Sequence, residues 1–376
     1  MNTPLLDVLG VQWDLQAPIV AVAWDDAGGT AAYAMGDGRV ALAAAQWRAG
    51  PRVERRDVGG VHVLPGMAST ARPSVVTCHA GSCHALAADG AGGFVSGGDD
   101  GRVVRVRADA TPEELSRMPG VWIDAVACNG AGATAYAGGR RVARHRASGI
   151  DEIELPASAT DMAFSPDGAT LAMAHSDGVT LWNERSLPRR LTWPGYHRKI
   201  AWSPDGRYVF TGMQENAIHG WRVADGGDME MAGYPGQPLS LAFTHDAALL
   251  VTSGALRPVC WDLARPGSSQ APRECGIRSK APVSCVTCHP RRHVIATGHH
   301  SGAITLCTPD SDGFLLLKGA GGGAQAALAW SPDGQRLAFG THDGVLGWLD
   351  LPDALFCSER RPADTNHPQK EARHEQ

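Results

Sequence analysis

Asp161-Met-Ala-Phe-Ser-Pro-Asp-Gly168 recurs as Lys199-Ile-Ala-Trp-Ser-Pro-Asp-Gly206 and again as Ala327-Leu-Ala-Trp-Ser-Pro-Asp-Gly334. Each copy alternates apolar residues, as a half-buried strand does, and then meets a Pro-Asp-Gly turn. A second apolar run follows (Leu171-Ala-Met-Ala174, Val209-Phe-Thr-Gly212, Leu337-Ala-Phe-Gly340), then a polar turn, then a third run ending in Trp182, Trp221 or Trp348. The unit is therefore strand, turn, strand, turn, strand.

Fixing the frame on Phe164 reveals weaker copies. The equivalent residues are Trp24, Ala87, Ala127, Phe164, Trp202, Phe243, Cys288 and Trp330, separated by 63, 40, 37, 38, 41, 45 and 42 residues. Apart from the first, these intervals are close to the roughly 40–45 residues of a four-stranded propeller blade. The long first interval places an extra loop within residues 48–74. Eight blades are expected, with seven as the alternative.

These residues resemble the WD40-repeat family over roughly Ile19 to Leu351, in particular a bacterial branch of it. Trp261-Asp262 is the one intact Trp-Asp pair; Trp182-Asn183, Trp221-Arg222 and Trp348-Leu349 depart from it. The resemblance implies a ring of sheets and a buried His–Ser/Thr–Asp–Trp network that can be complete in few units here. It also implies ring closure. The last unit lacks a fourth strand, and the apolar stretch Leu5 to Val11 is expected to supply it, removing an open sheet edge.

Composition narrows the function. The chain has 376 residues, 46 of them glycine and 24 proline, and a formal net charge of −5. No basic field exists to attract nucleic acid. No export signal or apolar run of about 18 residues is seen, so a cytoplasmic protein off the membrane is expected. The nine cysteines then read as reduced thiols. Residues 1–357 form a single domain in this reading, and the charged segment 358–376 a disordered tail.

Several constellations mimic chemistry. Cys285-Val-Thr-Cys288-His289 fits a haem-attachment spacing, but in a strand residues three apart face opposite ways, so no cofactor is expected. Cys78, His79, Cys83 and His84 bring four potential metal ligands within seven residues and are the candidate zinc ligands, although the spacing is not that of a standard module. His293, His299 and His300 make a second histidine-rich patch. The Ser-Pro-Asp copies read as turns, not hydrolytic pairs.

The aromatic-rich segment from Trp193 to Tyr234 carries the functional reading. Trp193, Tyr196, His197, Gln214, Glu215 and Tyr234 lie in loops of neighbouring units that should meet on one rim. Exposed aromatic side chains there would be anchors for a partner. The expectation is a monomeric, non-enzymatic scaffold or adaptor that binds other proteins. The alternatives are a metal-homeostasis accessory protein holding zinc through the Cys/His segments, and a propeller hydrolase or lactonase.

Overall fold

The repeated turns fold as their chemistry demands. In a computed structural model describing residues 4–55, 61–68, 71–263 and 272–356, Ser165, Ser203 and Ser331 each donate a hydroxyl to the aspartate two residues on, at 2.5, 2.7 and 2.5 Å. The same hydroxyls accept the backbone N–H five residues ahead. The glycines that close these turns, Gly168, Gly206 and Gly334, have φ of 70, 69 and 67°, a left-handed conformation cheap for glycine. Serine and aspartate are thus occupied in holding two strands together.

Antiparallel strands account for nearly all regular structure. Among the described residues the helical pieces are one turn at Leu6–Leu9 and a 3-10 turn at Asp353–Leu355. The residues of the repeat frame all fall on innermost strands: Ile19–Trp24, Cys83–Ala88, Ala125–Cys128, Asp161–Phe164, Arg189–Trp202, Leu241–Phe243, Val283–Cys288 and Gln325–Trp330. Each packs on the next, and the last packs on the first. Alanine-rich inner strands and branched apolar residues interleave between neighbouring sheets.

Eight blades were expected with seven as the alternative, and the described residues correct the first figure to the second: their strands form seven sheets of four or more strands, six of four and one of six. The difference lies at the fourth and fifth units. The strand Arg189–Trp202 pairs through its first half with Gly178–Leu181 and through its second half with Tyr208–Met213. It thereby runs two repeat units into one sheet. Within the segment Thr170–Asn183, Asp177 and Gly178 have φ of 65 and 137°, so the chain reverses there.

The N-terminal pairing differs in detail from the sequence expectation. Residues 6–9 are helical, and it is Gly10–Asp14 that pairs antiparallel with Val345–Asp350, from Gly10 opposite Leu349 to Asp14 opposite Val345. Leu6 and Leu9, one helical turn apart, are buried beside the last sheet. A side chain at position 10 would meet Leu6 Cδ1 at 2.5 Å and the Trp348 carbonyl at 2.9 Å, so glycine lets the turn pass directly into the strand.

The insertion in the first unit contains strands rather than a bare loop. Trp47–Ala49 pairs with Met67–Ala68, and Arg52–Arg55 with Val61–Leu64. Trp47 anchors this ribbon to the last unit: its ring meets Trp348 edge-on at 5.3 Å and its indole N–H donates to Asp350. The segment 358–376 lies outside the described residues.

Candidate functional site

The loops that lead into innermost strands gather at one end of these strands. There Val20, His84, Trp122, Asp124, Tyr196, Arg198, Lys199 and Leu239 surround a depression of about 640 Å³. Among the described residues Trp122 is 60% exposed and Tyr196 39%, large surfaces open to a partner. His84 fixes one wall: its ring meets Trp122 edge-on at 5.3 Å, and its Nδ1–H donates to Asp124 at 3.1 Å. Val20, Lys199 and Leu239 also line the central channel, a cavity of about 490 Å³, so the depression opens into it.

Three of the six expected rim residues share one exposed patch. Tyr196 and Gln214 are tied by a backbone bond, Gln214 N–H to Tyr196 O at 3.0 Å, and the Glu215 carboxylate accepts the Tyr196 N–H at 3.0 Å. Trp193 is half-buried, stacked on His219 at 3.9 Å with an 18° tilt. His219 is buried between Trp193 and Trp221 and donates to Asp228 at 3.1 Å. Burial, opposed by that carboxylate, lowers its pKa to about 4.

His197 and Tyr234 are corrections to the expected rim. His197 is fully buried. Its Nε2–H donates to the Trp193 carbonyl at 3.0 Å, and its Nδ1 accepts the Thr211 hydroxyl at 2.7 Å. Tyr234 is also buried; its hydroxyl meets Thr252 Oγ1 at 2.7 Å and accepts the Trp261 indole N–H at 2.5 Å. Burial pushes its phenol up to about 12. Both side chains cross-link strands of their own unit.

The Cys/His segment divides in the same way. His79 is buried, donating from Nδ1 to Asp100 at 3.0 Å and accepting from Ser96 at Nε2 at 2.9 Å. Burial holds its pKa below the ordinary value despite Asp100. His79, Ser96 and Asp100 are thus three of the four members of the buried network expected from the repeat. Cys78 and Cys83 are buried thiols directed to the carbonyls of Val76 and Arg39, and His84 turns to Asp124 on the rim. The four candidate ligands are aimed at four different partners.

The haem-like spacing separates too. Cys285 Sγ faces the Gln325 carbonyl of the next unit at 3.9 Å. Cys288 lies on the side of Cys275 and Cys307, and burial raises its thiol pKa beyond the ordinary range. His289 is committed to its turn, donating to the Gly334 carbonyl and accepting the Arg291 N–H, both at 3.0 Å.

Comparison with known proteins agrees with this arrangement. No family model matches the chain. Over 172 residues it is 26% identical to Echinoderm microtubule-associated protein-like 4 of Mus musculus, covering 45% of this chain and 17% of that protein. Its fold is similar to that of the computationally designed Ika8 protein, with a TM-score of 0.67 and 16% identity over 90% of this chain and 98% of the other. The chain folds as a β-propeller, and its repeats are similar to those of WD-repeat proteins. In this propeller the rim depression joins the central channel, and Trp122 is the large exposed residue that sequence reading passed over. It follows Pro119-Gly120-Val121, a turn in which an indole has no strand periodicity to satisfy, and that was the available signal.

Proposed function

We propose that this propeller is a non-enzymatic protein-binding platform, and that its partner docks at the channel mouth on Trp122 and Tyr196. The observation that carries the reading is the pairing of those two exposed rings across a depression walled by Arg198 and Lys199. Aromatic side chains offer large contact area for little lost rotamer entropy. The two cations favour a partner segment with an apolar anchor and a neighbouring carboxylate. Glu215 and Asp124 act as supports, fixing the Tyr196 backbone and the His84 ring.

We also propose that the ring is closed by Gly10–Asp14, which supplies the fourth strand of the last sheet. The pairing of Gly10–Asp14 with Val345–Asp350 and the packing of the last innermost strand on the first support this closure. A microtubule-associated protein shares the repeat, but at 17% coverage of that protein the likeness speaks to the blades and leaves the partner open.

Capture of partners from the native organism tests the proposal. Trp122→Ala with Tyr196→Ala is expected to weaken capture at least tenfold while the protein remains folded. Undiminished capture by the double variant would refute it.

A further inference from the structure

At the opposite end of the innermost strands, two neighbouring turns depart from the Ser-Pro-Asp-Gly pattern. One is Thr244-His245-Asp246-Ala247, where His245 stands in the place of Pro166, Pro204 and Pro332. The other, following Val283–Cys288, carries His293. The first turn keeps its fold without proline or glycine: Thr244 donates to Asp246 Oδ1 at 2.7 Å, the Ala248 N–H donates to the same oxygen at 3.2 Å, and Ala247 takes the left-handed position at φ 59°. The second carboxylate oxygen, Oδ2, faces His293 Nε2 at 3.3 Å. The rings of His245 and His293 are 4.9 Å apart at 71°. One donor atom from each of the three residues lies within 4.8 Å of the other two, and all three residues are exposed.

We propose that His245, Asp246 and His293 bind one divalent transition-metal ion, zinc being the best match, and so clip two adjacent turns of the propeller together. The donor set is two imidazoles and one carboxylate, which suits zinc and its neighbours rather than calcium or magnesium. In a tetrahedral zinc site with bonds of about 2.0–2.1 Å, neighbouring ligand atoms are about 3.3–3.4 Å apart. The His293–Asp246 pair already has that spacing. Asp246 divides its oxygens, one holding the turn and one facing the site, so coordination does not require the turn to open. Nearby guanidiniums are turned elsewhere: Arg292 reaches Asp353 at 2.5 Å, and Arg291 donates to the Asp333 carbonyl. Three protein ligands leave a fourth position for water or for a side chain of a bound partner.

The test is titration of tag-free, chelator-treated protein with zinc sulfate by calorimetry, paired with thermal melts. One zinc per chain is expected, with a rise in melting temperature, because an ion that binds the folded state alone stabilises it. His245→Ala and His293→Ala should each weaken zinc binding at least tenfold and remove the rise, whereas His62→Ala, an exposed histidine on the ribbon, should do neither. Without metal, the three variants should unfold at the same denaturant midpoint as the parent, so that lost binding is not lost folding. Absence of binding, or binding that survives both His245→Ala and His293→Ala, would overturn the proposal.

Discussion

The indole of Trp24 donates to the carbonyl of Ala329 at 2.9 Å across 305 residues of sequence. The same bond joins adjacent units in mid-chain, from Trp202 to Ala163 at 3.0 Å. The first and last units therefore meet through the contact that the repeat uses between neighbours. Trp24→Phe keeps an aromatic ring and removes the donor, and should lower stability by about 1 kcal/mol, the usual net worth of such a bond. Urea unfolding should register a similar loss for Trp202→Phe. If neither substitution moves the midpoint, these bonds do not hold the units together.

The strand Gly10–Asp14 covers the edge of Val345–Asp350, and the turn before it buries Leu6 and Leu9. Removing residues 1–14 exposes that edge and forfeits two leucine side chains, about 1.5–3 kcal/mol each. The truncated protein should aggregate or melt well below the parent in a calorimetric scan. A truncation as soluble and as stable as the parent would show that the edge needs no cover.

Much of this fold is legible in the sequence because the repeat writes the same local physics many times. Serine, proline, aspartate and glycine at fixed offsets dictate the turn, and alternation dictates the strands. What escapes are side chains whose partners depend on strand register. His197 and Tyr234 sit in loop-like sequence and read as surface residues, yet they reach Thr211 and Thr252, 14 and 18 residues on, once the strands align. His79 reads as a metal ligand beside cysteines, and it is Ser96 and Asp100, brought close by the hairpin, that engage it. The pairing of His245 with His293 joins two turns 48 residues apart and is equally invisible before the ring is assembled.

Buried histidines set the response to acid. Burial lowers the pKa values of His79, His175, His197, His219 and His299, that of His219 to about 4. In the unfolded chain each returns to about 6.5. Above that pH these imidazoles are neutral in both states and contribute no pH dependence. As pH falls through 6.5 the unfolded state takes up protons first, so stability declines, and the His219 share levels off only near pH 4. Denaturant midpoints should fall between pH 7 and 5, and less steeply in His219→Gln. A flat profile over that range would contradict the assignment of neutral, buried imidazoles.

Ser96, Thr211 and Thr252 occupy corresponding places on second strands and are bonded to the side chains of His79, His197 and Tyr234, in that order. Replacing His79 by alanine removes its bonds to Asp100 and Ser96, although Asp100 keeps the Ala80 and Arg102 N–H groups and Ser96 the Val104 carbonyl, and should cost about 1–3 kcal/mol. The loss should show in the thermal melt with zinc present or absent. A loss that appears only when zinc is supplied would place His79 in a metal site instead.

The platform reading is tested most directly by site-specific photo-crosslinking in cells of the native organism. A crosslinker replacing Trp122 or Tyr196 should trap a defined partner, while one replacing Leu187, 89% exposed and outside the depression, should trap none. Equal trapping at all three positions, or trapping at Leu187 alone, would contradict a partner seated at the channel mouth.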